Sequence, residues 1–559
     1  MSSAAEEIRT GQVLFDARRF AEAVTALDRA IALAPARADA HSLRGRALLA
    51  LGRKAEGLAS ALKATKIDPA SAPAWIALGS IFYTLRQHEL ALKAWRSAQR
   101  LAPDRPGVSG LILQAQMLCC DWDGLDSLVA AVTAELEAGK DAVHPFYWHA
   151  IADSPESLLK AAQNRQRRVA ATLAQPPGFP PPQRGERIRI GYLSGELNLA
   201  ANGLVMAGVF DHHDRDRFEI IAFDNGGDDG TPLRQRIASA FAQVTDVRAL
   251  SDAELAARIR AEAVDILVDL NGYFGKTRSA VLGHRAAPVQ VSFLGCPATS
   301  GAPQVDYAIA DAVVVPEEER QWHSEAIVHL PDTYYPADRQ REISDRRFTR
   351  TECGLPEDGF VFACFNHCHK ILPETFARWM RILGAVDGSV LWLLDASPVA
   401  TANLRQAALR HGVDPARLVF APRLPPDEHL ARHRCADLAL DSLPYNGHTT
   451  TTDALWAGLP VLTLAGSTWP GRVAASVLQA LGLPELVTAS AADYEQQAIR
   501  LATQPDALAA VREALAARRL TAPLFDTARY TQHLESAYRA MHDRRCQGLA
   551  PGPITIAAQ

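Results

Sequence analysis

The pattern of apolar and polar positions changes character once along this chain. Up to about residue 116, small and large apolar residues recur at i, i+3, i+4 and i+7, the period of helices that bury one face. The pattern returns in register. Pro35, Pro69 and Pro103 are spaced by 34, as are Gly11, Gly45 and Gly79, and Ala30, Ala64 and Ala98. From Met117 to Gln175 the texture stays helical and the repeat is lost. Beyond a stretch with five prolines and two glycines, Pro176 to Gly185, short apolar runs alternate with amphipathic segments: "IRIGYLSG", "FEIIAFDNG", "VDILVDLNGY", "VQVSFLG", "VDYAIAD" and "AIVHLP". Continuous Ile/Val/Leu runs of this length predict a parallel sheet covered on both faces. A second set, "FVFACFN", "SVLWLLDA", "RLVFAP", "ADLALDSLP" and "PVLTLAG", predicts another.

A helix pair every 34 residues is the tetratricopeptide pattern. A glycine stands where the first helix meets its neighbour, and a proline closes the second. Small alanines permit close helix contact, and Trp75, Tyr83 and Trp95 fill the wider gaps. Stacked pairs form a concave groove suited to an extended peptide or a partner protein. The proline-rich stretch cannot hold a helix and reads as a linker. The expected division is repeats over 1–116, connecting helices and linker over 117–183, one α/β domain over 184–345, a second over 346–520, and a C-terminal helix and tail over 521–559. Two doubly wound domains in series leave a cleft, with ligands expected beyond the carboxyl ends of the strands.

Composition narrows the function classes. At 559 residues the chain exceeds what a single core supports. With 58 Lys+Arg against 63 Asp+Glu and a formal charge of −5, nothing calls for a polyanion-binding surface, so nucleic acid is not expected. The opening "MSSAAEEIRTGQ" lacks a basic region followed by an apolar one, and no apolar run approaches the ~18 residues that span a bilayer; a soluble, cytoplasmic protein is expected. Eight cysteines in so long a chain give no disulfide framework and fit a reducing compartment. Cys119 and Cys120 read as two half-buried thiols.

Candidate chemistry sits at the strand ends. In "NGHTTTTD" (446–453) four threonines lie between a strand and "ALWAGLP", at the start of a helix expected from about Thr450 to Ala457. One hydroxyl would serve as a cap; four, beside free N–H groups and the positive end of the helix dipole, point to an anion such as a diphosphate. Asp453 is placed either to cap or to accept from ribose hydroxyls. In "CFNHCHKILPET", Lys370 follows a strand where an ammonium can neutralise a leaving phosphate. Cys364, His367, Cys368 and His369 fit no closed zinc-ligand spacing, and no metal is expected. "FLGCPATSG" (293–301) permits close backbone approach to a ligand, and His429 in "FAPRLPPDEHL" is placed to stack on a nucleobase.

The stretches "VDILVDLNGY…RAAPVQVSFLGCPATSGAPQVDY", "FNHCHKILPETFARWMRIL", "LPYNGHTTTTDALWAGLPVLTLAGSTWPGRVAAS" and "LTAPLFDTARYTQHLESAYRAM" closely resemble the protein O-GlcNAc transferase family, whose related branch holds the SPINDLY-type O-fucosyltransferases. The resemblance covers the whole chain, repeats included. It implies an α-helical tetratricopeptide superhelix followed by an α/β GT-B glycosyltransferase of two Rossmann-like domains. It also implies inverting, metal-independent transfer of GlcNAc from UDP-GlcNAc to Ser/Thr hydroxyls of proteins, with no cofactor and with the repeats guiding the acceptor. Carried over by position, Lys370 resembles the essential lysine on the donor diphosphate, His448, Thr449 and Thr450 the diphosphate-binding run, and Asp453 the ribose-binding aspartate. His429 and the backbone near Leu424 would hold uracil; Leu294, Gly295 and Pro297 would line the sugar pocket.

Three positions depart from the family pattern. Where a motif of the type S-x-D-x-x-x-H is expected, the chain reads "SGELNLAANG", placing Ala200 at the histidine position; Glu196 or a phosphate oxygen is a candidate for partial substitution as proton acceptor. A glutamine expected three residues before the lysine is His367, and a lysine of the nucleotide site is Pro426. Two other readings therefore stay open beside GlcNAc transfer: a GDP-fucose donor, and a nucleotide-sugar-binding scaffold that has lost catalysis. His448 ahead of the threonines resembles the GlcNAc branch.

Overall fold

The structure is a computed structural model that describes residues 3–170, 178–179 and 187–558. Two compact units divide it, residues 1–144 with 249–251, and the remainder. The linker expected over Pro176 to Gly185 falls almost wholly outside the described residues.

In the first unit the repeat becomes three antiparallel helix pairs: Ala4–Asp16 with Phe20–Leu33, Ala38–Ala50 with Lys54–Ile67, and Ala72–Thr84 with His88–Leu101. The three glycines lie where the helices of a pair press together. A Cβ on Gly45 would stand 2.9 Å from the Gly57 carbonyl oxygen, and one on Gly79 would stand 2.4 Å from the Trp95 indole nitrogen. Ala30, Ala64 and Ala98 are fully buried on the second helices. Two further helices follow, Val108–Cys119 and Leu125–Glu137. Cys119 and Cys120 end the first of these and are fully buried rather than half-buried, because that helix is enclosed along nearly its whole length.

The second unit holds two parallel sheets. In chain order their strands are β1 (Ile188–Ser194), β2 (Phe218–Asp224), β3 (Gln243–Asp246), β4 (Ile266–Asp269), β5 (Val289–Ser292), β6 (Tyr307–Asp311), β7 (Ala326–Leu330), β8 (Val361–Cys364), β9 (Val390–Leu394), β10 (Leu418–Ala421), β11 (Leu438–Leu440), β12 (Val461–Leu464), β13 (Val487–Thr488) and β14 (Ile554–Thr555). The first sheet runs β14-β7-β6-β5-β4-β1-β2-β3 and the second β10-β9-β8-β11-β12-β13. Every apolar run singled out in the sequence is a strand, and nearly all strand residues of β4–β6, β8 and β12 are buried, as helices on both faces require. The strands without a sequence signal are β3, β13 and β14, all at or near sheet edges, short and partly polar.

The C-terminal segment is the helix Thr527–Cys546 followed by β14, which pairs with β7. The helix is fixed to the first sheet through a buried polar set. Tyr192 on β1 shares hydrogen bonds with Tyr538 at 3.1 Å and with His213 at 2.9 Å, and Glu535 accepts from the Asp214 N–H at 2.8 Å. Strand order reverses between β1 and β4 in one sheet and between β8 and β11 in the other, so the loops after those strands splay apart and open a crevice. No helix among the described residues is long and apolar enough to cross a membrane.

Candidate active site

At the switch point of the second sheet, the loop after β8 meets the loop after β11. The β8 loop tightens into a short turn, Cys368–Lys370, before the helix Pro373–Ala385. Lys370 Nζ donates to the Asn446 carbonyl at 2.7 Å and stands 3.7 Å from the centre of the Tyr445 ring. The loop that receives it is organised by Asp441 at the end of β11. Its carboxylate accepts from the N–H groups of Gly447 (2.6 Å) and Ser442 (2.8 Å) and from the Thr463 hydroxyl (2.7 Å). Burial raises the Asp441 carboxyl and lowers the Lys370 ammonium to about 8, while their mutual attraction opposes both shifts.

The helix that follows is Thr449–Trp456, one residue earlier than expected at each end. The N–H groups of Thr451 and Thr452 donate to the His448 carbonyl at 3.1 Å each, which leaves those of Thr449 and Thr450 at the positive end of the helix dipole. Gly447 leads into it because no side chain fits: a Cβ there would stand 2.6 and 2.7 Å from the hydroxyls of Thr450 and Thr451. The four hydroxyls differ in what they do. Thr451 Oγ1 donates to the Gly447 carbonyl at 2.8 Å, and Thr452 Oγ1 to the Thr449 carbonyl at 3.0 Å, so both brace the helix start. Thr450 Oγ1 donates to the Asn366 side-chain carbonyl. Thr449 Oγ1 shares a 2.8 Å hydrogen bond with the Tyr335 hydroxyl.

Burial holds His448, His369 and His429 in the neutral form. Burial pushes His448 and His369 well below the ordinary range, and Lys370 adds to both shifts. His448 Nε2 pairs with the Pro470 carbonyl at 3.2 Å. His367 lies beside His369, their Nδ1 atoms 2.9 Å apart. His429, on the helix Pro426–Arg432 beyond β10, packs edge-on against Phe365 with ring centres 5.1 Å apart, and burial also drives it toward the neutral form. Leu424 and Pro426 stand at the start of that helix, half-buried. Asp453 is paired with Arg341, whose guanidinium bonds its Oδ1.

On the first sheet the candidates again lie at the switch point. Ala200 is the residue at which the helix Ala201–His212 starts, with extended backbone and no side-chain cap. Glu196, four residues earlier, is half-buried, and desolvation lifts its carboxyl to about 7. Asn271, after β4, fixes that loop, its side-chain carbonyl accepting from the Gly195 N–H at 2.7 Å and the Ser194 hydroxyl at 3.1 Å. Leu294, Gly295 and Pro297 follow β5 and are buried. Leu294 has φ of 69°, and Gly295 is pressed to the chain at 270–271, where a Cβ would meet the Leu270 carbonyl oxygen at 2.2 Å. Cys296 between them is buried, and desolvation pushes its thiol well above the usual range, so it is an uncharged part of this wall.

The structure therefore brings Lys370, His448, Thr449 and Thr450 around one crevice, sets His367 at its side, and ties Asp453 to an arginine. Several residues of the site were not singled out in the sequence. Tyr335 and Arg341 come from the crossing segment after β7, which has neither period nor motif. Phe146, Tyr147 and His149 come from the short helix Pro145–Trp148 and its end. Phe146 and Tyr147 pack on His369 with ring centres 5.6 and 5.7 Å apart, and His149 lies 6.2 Å from Tyr445. Their one signal was an unusual density of aromatic and histidine residues in "HPFYWHA".

The arrangement offers backbone N–H groups, a lysine and a hydroxyl pair to an anion at the carboxyl end of a doubly wound sheet. The model of glycosyl transferase family 41 matches residues 171–348 and 342–534, and a tetratricopeptide repeat model matches 8–72. The chain is 35% identical over 464 residues to a probable UDP-N-acetylglucosamine–peptide N-acetylglucosaminyltransferase SEC of Arabidopsis thaliana, covering 79% of this chain and 47% of that one. It is 31% identical over 376 residues to the Solanum lycopersicum protein of the same description named SPINDLY, covering 65% and 39%. The chain thus spans about half the length of these curated relatives, or less. Among solved structures, a lysine-to-methionine mutant of the Thermobaculum terrenum O-GlcNAc transferase superposes with a TM-score of 0.72 at 28% identity, over 98% of this chain and 99% of that one. With the family model matched across both sheets, the chain belongs to glycosyl transferase family 41.

Proposed function

We propose that this protein is an inverting glycosyltransferase that moves GlcNAc from UDP-GlcNAc to Ser or Thr hydroxyls of proteins. The observation that carries the reading is Lys370 beside the first turn of the Thr449–Trp456 helix at the switch point of the second sheet. In the reaction the acceptor oxygen attacks C1 of the sugar, the bond from C1 to the diphosphate oxygen breaks, and the electron pair leaves with UDP. The Lys370 ammonium and the N–H groups of Thr449 and Thr450 meet the growing negative charge in a water-poor pocket, where fixed donors need no reorganisation. His429, with the backbone near Leu424, stacks on the uracil, Asp453 accepts from the ribose, and Leu294, Gly295 and Pro297 bound the sugar. His367 flanks the diphosphate.

The acceptor proton has to go to a base. Ala200 offers none, and Glu196 takes the role: its carboxyl, lifted to about 7, is matched to proton transfer near neutrality. The donor and acceptor classes are those in the relatives' names, and the repeats are a fit surface for an acceptor protein. No metal enters this scheme, and a chelator is expected to leave the rate unchanged.

Transfer of labelled GlcNAc to an acceptor-peptide panel, with GDP-fucose as a parallel donor, tests the reading. Turnover with UDP-GlcNAc that Lys370→Met abolishes is the expected result. UDP binding without turnover, or turnover with GDP-fucose alone, would replace it by the scaffold or the fucosyl reading.

A further inference from the structure

A hydroxyl has one proton to give. Thr450, Thr451 and Thr452 each spend theirs on a protein carbonyl, so only Thr449 in the threonine run remains as a hydroxyl donor to an anion. Of these four, Thr449 is also the one whose hydroxyl meets another hydroxyl, that of Tyr335, at 2.8 Å. Between them the pair holds two protons; one is used in their mutual bond, and one is left. Which one is left follows from their acidities. A phenol, with an ordinary pKa of about 10, is a stronger donor than an aliphatic alcohol and a weaker acceptor, because its lone pair is delocalised into the ring. Tyr335 therefore donates and Thr449 accepts.

The phenol is held to that task. Tyr335 is 4% exposed, and desolvation keeps it protonated. Its segment is bolted along one face of the threonine helix. Arg341 grips Asp453, and Trp456 Nε1 donates to the Arg341 carbonyl at 3.0 Å, so contacts at 449, 453 and 456 follow the i, i+4, i+7 face.

We propose that Tyr335 is a positioning residue of the donor site: by donating to Thr449 Oγ1, it turns the single uncommitted threonine proton toward the departing diphosphate. The inference rests on the donor-site reading above. Because that bond tightens as the leaving group gains charge, Tyr335→Phe is expected to lower kcat/KM for UDP-GlcNAc by roughly 10- to 100-fold, with a smaller change in UDP affinity.

The test is a double-mutant cycle in the full chain, read by kcat/KM, by UDP affinity and by melting midpoint. Tyr335→Phe is expected to cost as much in a Thr449→Ser background, where a hydroxyl remains, as in the wild type. In a Thr449→Val background it is expected to cost less than about twofold. A loss of similar size in the Val background would show a merely structural role and overturn the proposal, as would full kcat/KM in Tyr335→Phe alone. A wild type that neither binds UDP nor turns over would overturn the donor-site reading and this inference with it, whereas a UDP-binding wild type indifferent to Tyr335→Phe would overturn this inference alone.

Discussion

Lys370 and Glu196 are displaced in opposite directions by the same force. Desolvation penalises charge, so it lowers the ammonium to about 8 and lifts the carboxyl to about 7. The signs set a pH profile. In the proposed reaction Glu196 accepts a proton only when ionised, so the rate is expected to climb as pH rises through 7; Lys370 neutralises the diphosphate only when protonated, so the rate is expected to fall as pH rises through 8. A narrow bell in kcat/KM with limbs near those values is expected. Glu196→Gln should remove the rising limb and cost ~10²- to 10⁴-fold, the usual worth of a general base. A bound diphosphate favours the ammonium, so UDP binding near pH 8 should take up a proton, visible as a calorimetric enthalpy that changes with the buffer. At this scale the sequence pointed to Lys370 and the threonines because each sits where a strand run ends, and to Glu196 only through the resemblance that sets Ala200 at an expected histidine. Tyr335 was invisible, since its role depends on a partner 114 residues away. The threonines were legible as a set, but the division of labour among them was not: Thr450, expected to hold the diphosphate, gives its hydroxyl to Asn366.

The elements that matter most are those built on close approach. Gly447 has no room for a side chain against the threonine hydroxyls, so Gly447→Ala should displace the helix start and weaken UDP binding at least tenfold, measured by titration calorimetry. In the repeats, Gly79→Ala pushes a methyl against the Trp95 indole at 2.4 Å and is expected to cost about 1–3 kcal/mol of stability, read by denaturant unfolding. The 34-residue spacing revealed this packing in advance because each glycine recurs at the same helix crossing. Apolar runs revealed the central strands because burial on both faces leaves no polar alternation to mislead. The edge strands β3 and β13 were hidden because an edge needs neither length nor continuous apolarity.

For the whole molecule, the C-terminal segment belongs to the first sheet although it follows the second in sequence. The helix Thr527–Cys546 is tied to β1 through Tyr538 and Tyr192, and β14 covers the edge of β7. A chain ending at Gly548 is expected to expose that edge, lower the melting midpoint and self-associate, which light scattering will detect. Strand order could not be read from the sequence, because an apolar run does not name its neighbours. Yet that order decides function: the reversals at β1/β4 and β8/β11 put the Glu196, Lys370 and Thr449 loops at crevices rather than on closed sheet edges. In the proposed function, Lys370 and the threonine helix together hold the donor diphosphate. Calorimetric titration of UDP into the wild type and into Lys370→Met tests it most directly. One-to-one binding by the wild type is expected, weakened roughly 10- to 100-fold by loss of the charged donor; equal affinity in the two proteins would rule out Lys370 as a diphosphate ligand.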